Sequence, residues 1–407
     1  MNGLGERRGA ADGRAVWLLA MALVLGASNA AHAQSNTRLL LASGWGVPGH
    51  SGYVFGPFSH LAMNEAQEIV FLSSLRGAKR NLRAVIRSTG VTFAVVAFEG
   101  LRAPVRGTSY ESFSAPSLNS AGTVAFAATL KDDVPSSAVI RVERGVGLAV
   151  ATSGGAVPGN PGASFQEFSA PVINSEGNIL FGARTAGSQP ATGLYLWTPR
   201  GLQTVALPLE LKLAPSELLT PVFASHDEAV FVSRGTSLEA VTEQFFRAVA
   251  IRTFQDLKPP PEVSETGEIL AARSEQAPVK MLWVLMEGDR VEMGVLNGDP
   301  SQPVLAKRYP GIVLPPLSRI QGQTAGPRGN IIFAAAPAGE EKDLALYCLC
   351  EGQVNRLTSA EEFLAVSEGA QGGPILSLAG DGQRTMTFIV PDDVGGDSVA
   401  IYVTSVP

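Results

Sequence analysis

The sequence predicts an all-β protein assembled from repeated antiparallel hairpins, and three observations support this prediction. A short phrase recurs, as LNSAGTVAF at residues 118–126 and INSEGNILF at 173–181, with a looser copy, MNEAQEIVF, at 63–71. The copies follow one another at an interval of 55 residues. With 44 Gly and 27 Pro among 407 residues, 45% of them hydrophobic and 17% charged, the composition is that of a globular chain rich in turns.

Each copy of the phrase has the chemistry of a tight turn between two strands. Asn64, Asn119 and Asn174 occupy the first turn position, where an amide side chain can bond to nearby backbone. Gly122 and Gly177 follow three residues later, where a positive φ is tolerated. Beyond the turn of the second copy, alternate residues are apolar. This alternation predicts a strand with one buried face.

A Phe closes the phrase at the same strand position in five copies. These residues are Phe71, Phe126, Phe181, Phe231 and Phe333. A row of equivalent aromatic residues can form a ligand platform or fill the space between neighbouring units. We favour packing between units.

The rest of each unit supplies two further strands. SAVIRVERG and GLAVATSGG follow the second copy, and GLYLWTPRG and LQTVALPL follow the third. Degenerate copies place Ala224, Ser264, Gly326 and Ala379 at the Asn position, which makes seven units. Four short antiparallel strands in each unit predict a seven-bladed β-propeller of four-stranded blades. A helical solenoid would show a 3.6-residue period in every unit, and this period is absent.

The two ends of the chain predict how the propeller closes. The seventh unit stops after its third strand, SVAIYVTSVP, at 398–407. Residues 36–49, NTRLLLASGWGVPG, read as an isolated fourth strand and match GLAVATSGGAVPG at 147–159 as far as the final Val-Pro-Gly. We therefore expect the N-terminal strand (residues 36–49) to complete the last blade, which would remove exposed strand edges.

The fourth and fifth units are irregular. Residues 236–250 carry the capping-box pair Thr236 and Glu239 together with helical spacing of apolar residues, which predicts an inserted helix. Residues 301–319 are surplus length in the fifth unit, and we interpret them as a long loop.

The N-terminus has the features of an export signal. Basic residues precede an apolar run at 15–27, and the small residues Ala31 and Ala33 suit signal peptidase. The run is shorter than the about 20 residues that span a bilayer. We therefore expect a signal peptide over 1–33, cleaved after Ala33, and a single propeller domain over 34–407. The product would be periplasmic or secreted, without a further membrane span.

The repeat resembles a known family, the bacterial exported proteins with tandem NxxGxxAF repeats. The match is close in the copies that begin at Asn119 and Asn174 and continues in degraded form over the whole mature chain. That family has a predicted repeat fold and no generally established activity. The resemblance therefore implies architecture and export only.

The charge balance favours some partners over others. The formal net charge is −6, and phosphate recognition needs a concentrated basic surface, of which the sequence shows no run. We therefore expect no nucleic-acid partner. The expected ligand is a protein or a glycan, bound by a monomer.

The sequence offers few groups for chemistry. Cys348 and Cys350 lie two apart, a spacing that does not readily give a disulfide within one strand, so they read as small apolar residues or as a redox or soft-metal pair. His50, His60 and His226 read as ordinary, partly exposed histidines, with a pocket role as the alternative.

Calcium is the one metal that the sequence suggests, and only weakly. The loop PDDVGGDS offers Asp392, Asp393 and Asp397, and the second unit has Asp132 and Asp133 at the corresponding place. Neither loop has six oxygen ligands in a recognised spacing. We therefore expect no cofactor.

Two functions remain open from the sequence. The first is a binding or scaffolding propeller that uses loops on one face, since loops on a rigid frame suit recognition and no catalytic motif is present. The alternative is a polysaccharide-directed hydrolase or lyase whose acid and base groups come from several blades and meet at one mouth of the channel. No catalytic residue is predicted.

Overall fold

The computed structural model describes residues 38–131, 135–187 and 191–206 as continuous segments, and beyond residue 206 it describes individual strands. The chain divides into two units, residues 1–36 with Pro407 and residues 37–406, and all described residues lie in the second. The expected signal peptide thus lies outside the described residues.

The part of the chain that the structure describes contains thirty strands and no helix. The first fifteen are β1 (Arg38–Ala42), β2 (Tyr53–Met63), β3 (Ile69–Gly77), β4 (Asn81–Ser88), β5 (Phe93–Phe98), β6 (Ser109–Phe113), β7 (Ser117–Leu118), β8 (Val124–Lys131), β9 (Ser137–Glu143), β10 (Val146–Thr152), β11 (Ser164–Phe168), β12 (Val172–Ile173), β13 (Ile179–Ala186), β14 (Ala191–Thr198) and β15 (Gly201–Ala206). The remaining strands are β16 (Thr220–Phe223), β17 (Glu228–Val232), β18 (Val249–Ala250), β19 (Thr253–Phe254), β20 (Gly267–Ala272), β21 (Lys280–Glu287), β22 (Arg290–Asn297), β23 (Leu305–Tyr309), β24 (Leu317–Ala325), β25 (Ile331–Pro337), β26 (Ala345–Cys350), β27 (Gln353–Thr358), β28 (Ser377–Gly380), β29 (Thr385–Pro391) and β30 (Val399–Ser405). The predicted all-β class is confirmed.

These strands pair into seven antiparallel sheets among the described residues. Six sheets use consecutive strands: β2 to β5, β6 to β10, β11 to β15, β16 to β19, β20 to β23, and β24 to β27. In the second and third of them the first strand is interrupted, so that β6 and β7 both pair with β8, and β11 and β12 both pair with β13. The antiparallel four-stranded arrangement is therefore confirmed.

The last sheet combines the two ends of the chain. Its strand order is β1-β30-β29-β28, and β1 pairs antiparallel with β30, from Arg38 opposite Val403 to Ala42 opposite Ala400. The first strands of the sheets contact one another in chain order in several places, with β2 against β28 and β7, β7 against β12, β12 against β16, and β24 against β20 and β28.

The strand β8 is buried on both faces from Val124 to Ala128, which differs from the predicted half-buried strand. In β8, the side chains of Phe126 and Val124 belong to a core shared with the first sheet, which includes Val70. Ala125 and Ala127, on the other face of β8, belong to a core shared with the third sheet. The small residues are therefore not at a solvent face. They make room for the large side chains of the next sheet.

The marker assigned to the seventh copy is wrong. Ala379 was placed at the start of a turn, but it lies inside β28 and pairs with Thr387 of β29. A residue in the middle of a ladder cannot begin the connection that follows the ladder.

The correct register follows from the aromatic position. Phe388 pairs with Tyr402 as Phe181 pairs with Tyr195, and each pair of rings is stacked. Asn174 stands 181 − 174 = 7 residues before its Phe, and the same interval before Phe388 falls on Asp381. The marker of the seventh copy is therefore Asp381, two residues beyond Ala379.

The two irregular units also differ from expectation. The helix predicted over 236–250 lies mostly outside the described residues, and its last two residues form β18 instead. The predicted loop over 301–319 contains β23 and the beginning of β24, so that this length builds strands. Residues 224, 264 and 326, the markers assigned to units four to six, lie outside the described residues.

Candidate functional site

Two opposite ends of each sheet are candidates for function, and we name them by their connections. The turn side contains the turns between the first and second strands, at residues 64–68, 119–123 and 174–178. The loop side contains the loops that lead into each first strand, at 43–52, 99–108 and 153–163.

On the turn side, the repeated Asn joins neighbouring sheets. Asn119 is buried, and its Oδ1 accepts a hydrogen bond from the backbone N–H of Thr123 at 2.9 Å, which shapes its own turn. Its Nδ2 donates to the carbonyl of Asn174 in the next sheet at 3.0 Å. Asn64 does the same one sheet earlier, donating to the carbonyl of Asn119 at 2.8 Å. Only an amide of this length supplies both the acceptor and the donor.

The glycine of the second turn has a further role. Gly122 has a φ of 76°, and a Cβ at this position would overlap the guanidinium of Arg87 and lie 2.9 Å from Oε2 of Glu68. Arg87 and Glu68 form an ion pair at 2.7 Å across the first sheet. Gly177 has a similar φ of 83°, but there the nearest atom, Nη2 of Arg141, is 3.6 Å away. The ion pair therefore covers Gly122 closely and Gly177 has more room.

The repeated Phe lies between sheets. Phe71, Phe126 and Phe181 are fully buried. Each belongs to a core that combines residues of its own sheet with residues of the preceding sheet. Their burial leaves no aromatic face accessible to a ligand, because their exposed fraction is zero.

Most of the other sequence-derived candidates lie where the structure is not described. Asp132, Asp133, Asp392, Asp393, Asp397 and His226 lie outside the described residues. His60 is exposed, and the ring of His50 packs edge-on against Phe98, with centroids 5.4 Å apart. Within the described ranges, no three His, Cys, Asp or Glu side chains are gathered to hold a metal.

The interpretation of the cysteines needs correction. Cys348 is disulfide-bonded and buried, whereas we expected no disulfide at this spacing. The sequence contains one other cysteine, Cys350. Cys348 of β26 pairs with Ile332 of β25. At the equivalent position of the second sheet, Arg141 of β9 pairs with Ala125 of β8.

The loop side has a repeat of its own. In each of the three loops the backbone N–H of a Gly donates a hydrogen bond to a carbonyl of the first strand that follows. The bond from Gly44 to the carbonyl of Phe55, at 2.7 Å, is an example. Each loop then buries one small apolar residue followed by Pro: Val47, Ala103 and Val157. Two residues lie between these two fixed points, and the first of them is directed outward in two loops, since Trp45 is 48% and Leu101 37% exposed. The third loop has Gly155 there.

Exposed cationic side chains lie in the loop that carries Leu101 and in the hairpin whose Arg80 approaches that loop. Lys79 and Arg80, in the hairpin between β3 and β4, and Arg102 and Arg106, in the loop 99–108, are all exposed. Together with Trp45 and Leu101 they form what we call the loop-side patch. Over segments 43–52, 77–83 and 99–108 there are five Lys or Arg residues and one acid, Glu99. A chain with a net charge of −6 thus has a cationic region here.

Contacts within the first sheet bring the three segments of the patch together. His50 of the loop 43–52 packs on Phe98, the residue at the end of β5. Arg80 lies over the loop 99–108, with Nη2 only 3.3 Å from where a Cβ of Gly100 would be. The carboxylate of Glu99 accepts a bond from the backbone N–H of Arg83 at 3.3 Å.

The sequence had not indicated this patch, because its cations are not consecutive. They lie in two segments that the strands β4 and β5 separate, whereas a basic run in a sequence consists of neighbouring residues. The signal available in the sequence was the contrast with the next unit. Its corresponding segments, 132–136 and 153–163, contain no Lys or Arg and two Asp.

Comparisons with known proteins support the fold. Residues 26–139 match the model of a family of unknown function (DUF7453). A comparison with curated proteins gives no match. The β-propeller domain of the Trilobed protease from Pyrococcus furiosus, described as having an open velcro topology, matches with a TM-score of 0.50 and 10% identity over 82% of this chain and 91% of that chain. This likeness shows a β-propeller fold and nothing of the activity.

Two other solved structures match with lower TM-scores. An acylaminoacyl peptidase from Pyrococcus horikoshii matches with a TM-score of 0.47 and 9% identity, over 83% of this chain and 49% of that chain, so that this chain spans about half of the peptidase. The polysaccharide lyase Uly1 matches with a TM-score of 0.43 and 10% identity, over 89% of this chain and 90% of that chain.

Among the described residues, no helix is long and apolar enough to cross a membrane.

Proposed function

We propose that this chain is an exported, seven-bladed β-propeller, closed by β1, which binds a glycan on the loop side of its first sheet. The pairing of β1 with β30 and the contacts between successive first strands support the closed ring. The basic and apolar segments at the N-terminus support export. The proposal is of a binding module, because the loop side presents exposed side chains on a backbone path that repeats from loop to loop.

The observation that carries this function is the equivalent, outward position of Trp45 and Leu101 on a fixed loop frame. Loops held by backbone bonds need little ordering when a ligand arrives, which lowers the cost of binding. A half-exposed Trp offers a flat apolar ring and one N–H donor, a combination suited to a ligand that is partly apolar and partly hydroxylated. The side chains differ from loop to loop while the frame repeats, as expected for a recognition surface.

A thermal-shift screen of the mature protein against a polysaccharide set tests the proposal. A bound glycan should raise the melting temperature of the wild type, because a ligand of the native state alone stabilises it. Trp45→Ala should abolish the shift. Val91→Ala is the matched control, since Val91 is 88% exposed in the hairpin between β4 and β5, at the opposite end of the same sheet. This control should leave the shift unchanged.

Two results would contradict the proposal. One is a glycan shift that persists in Trp45→Ala and disappears in Val91→Ala, which would place binding on the turn side. The other is the release of new chain ends from a polysaccharide, which would favour the hydrolase or lyase.

A further inference from the structure

We infer that the loop-side patch binds an acidic glycan, specifically a polysaccharide rich in carboxylate-bearing sugars, through Arg80, Arg102 and Arg106. This inference rests on the proposed function and adds to it the chemical class of the ligand.

The first step is that these arginines are available. The ion pairs between described residues involve Arg87, Arg141 and Arg184, and none involves Arg80, Arg102 or Arg106. The one acid in the three segments, Glu99, accepts from the backbone of Arg83. Five cations and one carboxylate leave the three segments with an excess of 5 − 1 = 4 positive charges.

The second step is that the cations are mostly arginine. A guanidinium presents a planar fork of N–H donors that matches a planar carboxylate with two parallel hydrogen bonds. Lys79 is the one ammonium among the cations of the patch. The guanidinium groups of the patch thus favour a ligand that carries carboxylates over a ligand that needs only a nearby positive charge.

The third step is that the arginines stand on a fixed frame. In the loop 99–108 the backbone N–H of Ala103 donates to the carbonyl of Thr108 at 3.0 Å, and the hydroxyl of Thr108 donates to the carbonyl of Val105 at 3.0 Å. Arg102 therefore precedes, and Arg106 lies within, a closed backbone turn with buried anchors at Ala103 and Thr108. Such a turn fixes the backbone positions from which the two side chains extend.

The fourth step is that the apolar part of the patch is too small for the other anionic surfaces. Insertion into an anionic membrane needs a continuous apolar face, and in the patch only Trp45 and Leu101 stand out, 48% and 37% exposed. Single-stranded nucleic acid is bound by several stacked aromatic residues along a cationic groove, and the patch has one Trp. A sugar chain with carboxylates needs only an occasional apolar ring beside the cations.

The test is a titration of the mature protein with oligogalacturonate and with the same oligomer after reduction of its carboxyl groups. The wild type should bind the acidic oligomer and not the reduced one, and its affinity should fall as salt is added. The double variant Arg102→Gln, Arg106→Gln should raise Kd by about tenfold or more, as expected from the loss of two charge-assisted contacts. Arg200→Gln, an exposed arginine of the third sheet, is the control and should leave Kd unchanged.

The outcomes separate this inference from the proposed function. Equal binding of the acidic and reduced oligomers, still sensitive to Trp45→Ala, would overturn the acidic class and leave glycan binding intact. Loss of binding in Arg200→Gln equal to that in the double variant would overturn the assignment to the patch. Binding to vesicles of anionic lipid that exceeds binding to oligogalacturonate would overturn the inference in favour of a membrane surface. Binding of no glycan at all would remove the proposed function as well.

Discussion

The two ends of the same repeat unit differ in what they keep constant. On the turn side the side chains themselves repeat, and Asn119 links its sheet to the next through a buried amide. On the loop side the backbone path repeats, while the outward side chain changes from Trp45 to Leu101 to Gly155. The side chains that repeat therefore hold the sheets together. The surface where the backbone repeats and the side chains change is the one available for recognition.

The largest effect should come from the core between sheets. Phe126→Ala removes a fully buried ring from the packing between the first and second sheets. We expect a loss of about 3–5 kcal/mol in the free energy of unfolding, from lost burial and the cavity that remains. Denaturant unfolding measures this, with Val146→Ala as a control because Val146 is 73% exposed. A wild-type midpoint for Phe126→Ala would contradict the role of the aromatic row.

A smaller loss of stability should follow from substituting the turn glycines. Comparing two of them separates the cost of a positive φ from the cost of a clash between sheets. Gly122→Ala and Gly145→Ala both force Ala to a positive φ, 76° and 81°, which costs about 1–2 kcal/mol. Only at Gly122 would the new Cβ also meet Arg87 and Glu68. We therefore expect Gly122→Ala to lose about 1–3 kcal/mol more than Gly145→Ala in urea unfolding.

A double-mutant cycle sharpens this comparison. In a background of Arg87→Ala, the cost of Gly122→Ala should fall toward that of Gly145→Ala, since the guanidinium is gone and Oε2 of Glu68, 2.9 Å away, remains against the new Cβ. An unchanged difference between the two glycines would show that the guanidinium is not its cause.

The smallest effect at neutral pH should come from a buried tyrosine. Burial raises the pKa of Tyr195 to about 12, from about 10 in the unfolded chain. The unfolded chain therefore loses its phenolic proton first, so this contribution to stability is complete below pH 10 and is lost as the pH rises toward 12. Tyr195→Phe should reduce the slope of stability against pH in that range.

Some slope should remain in that variant, because burial also raises the pKa of Tyr110. Melting temperatures measured from pH 9 to pH 12 check this prediction. A slope identical to that of the wild type would mean that Tyr195 ionises as freely in the folded protein as in the unfolded chain.

The all-β class and the antiparallel sheets could be predicted from the sequence, because turn residues and alternation are local signals. The residues from other sheets that each side chain contacts could not be predicted. The sequence contains Asn119, but the carbonyl that its Nδ2 reaches lies 55 residues away. Likewise Ala125 reads as a solvent-facing small residue until the third sheet is placed against it.

The loop-side patch shows the same limit. Arg80 and Arg102 are separated by two strands, and only the fold places Arg80 over Gly100, two residues before Arg102. The displaced marker at Ala379 has a different cause. A degenerate copy keeps its buried Phe388, which packing requires, better than it keeps its turn residues.

One paired measurement tests the central claim, that the turn side assembles the sheets and the loop side binds. Melting temperature and affinity for oligogalacturonate would be measured on Asn119→Ala and on the double variant Arg102→Gln, Arg106→Gln. Asn119→Ala should cost about 1–3 kcal/mol of stability, because buried partners lose their hydrogen bonds, and leave the affinity unchanged, whereas the double variant should do the reverse. A large loss of affinity in Asn119→Ala without a loss of stability, or a large loss of stability in the double variant, would contradict the claim.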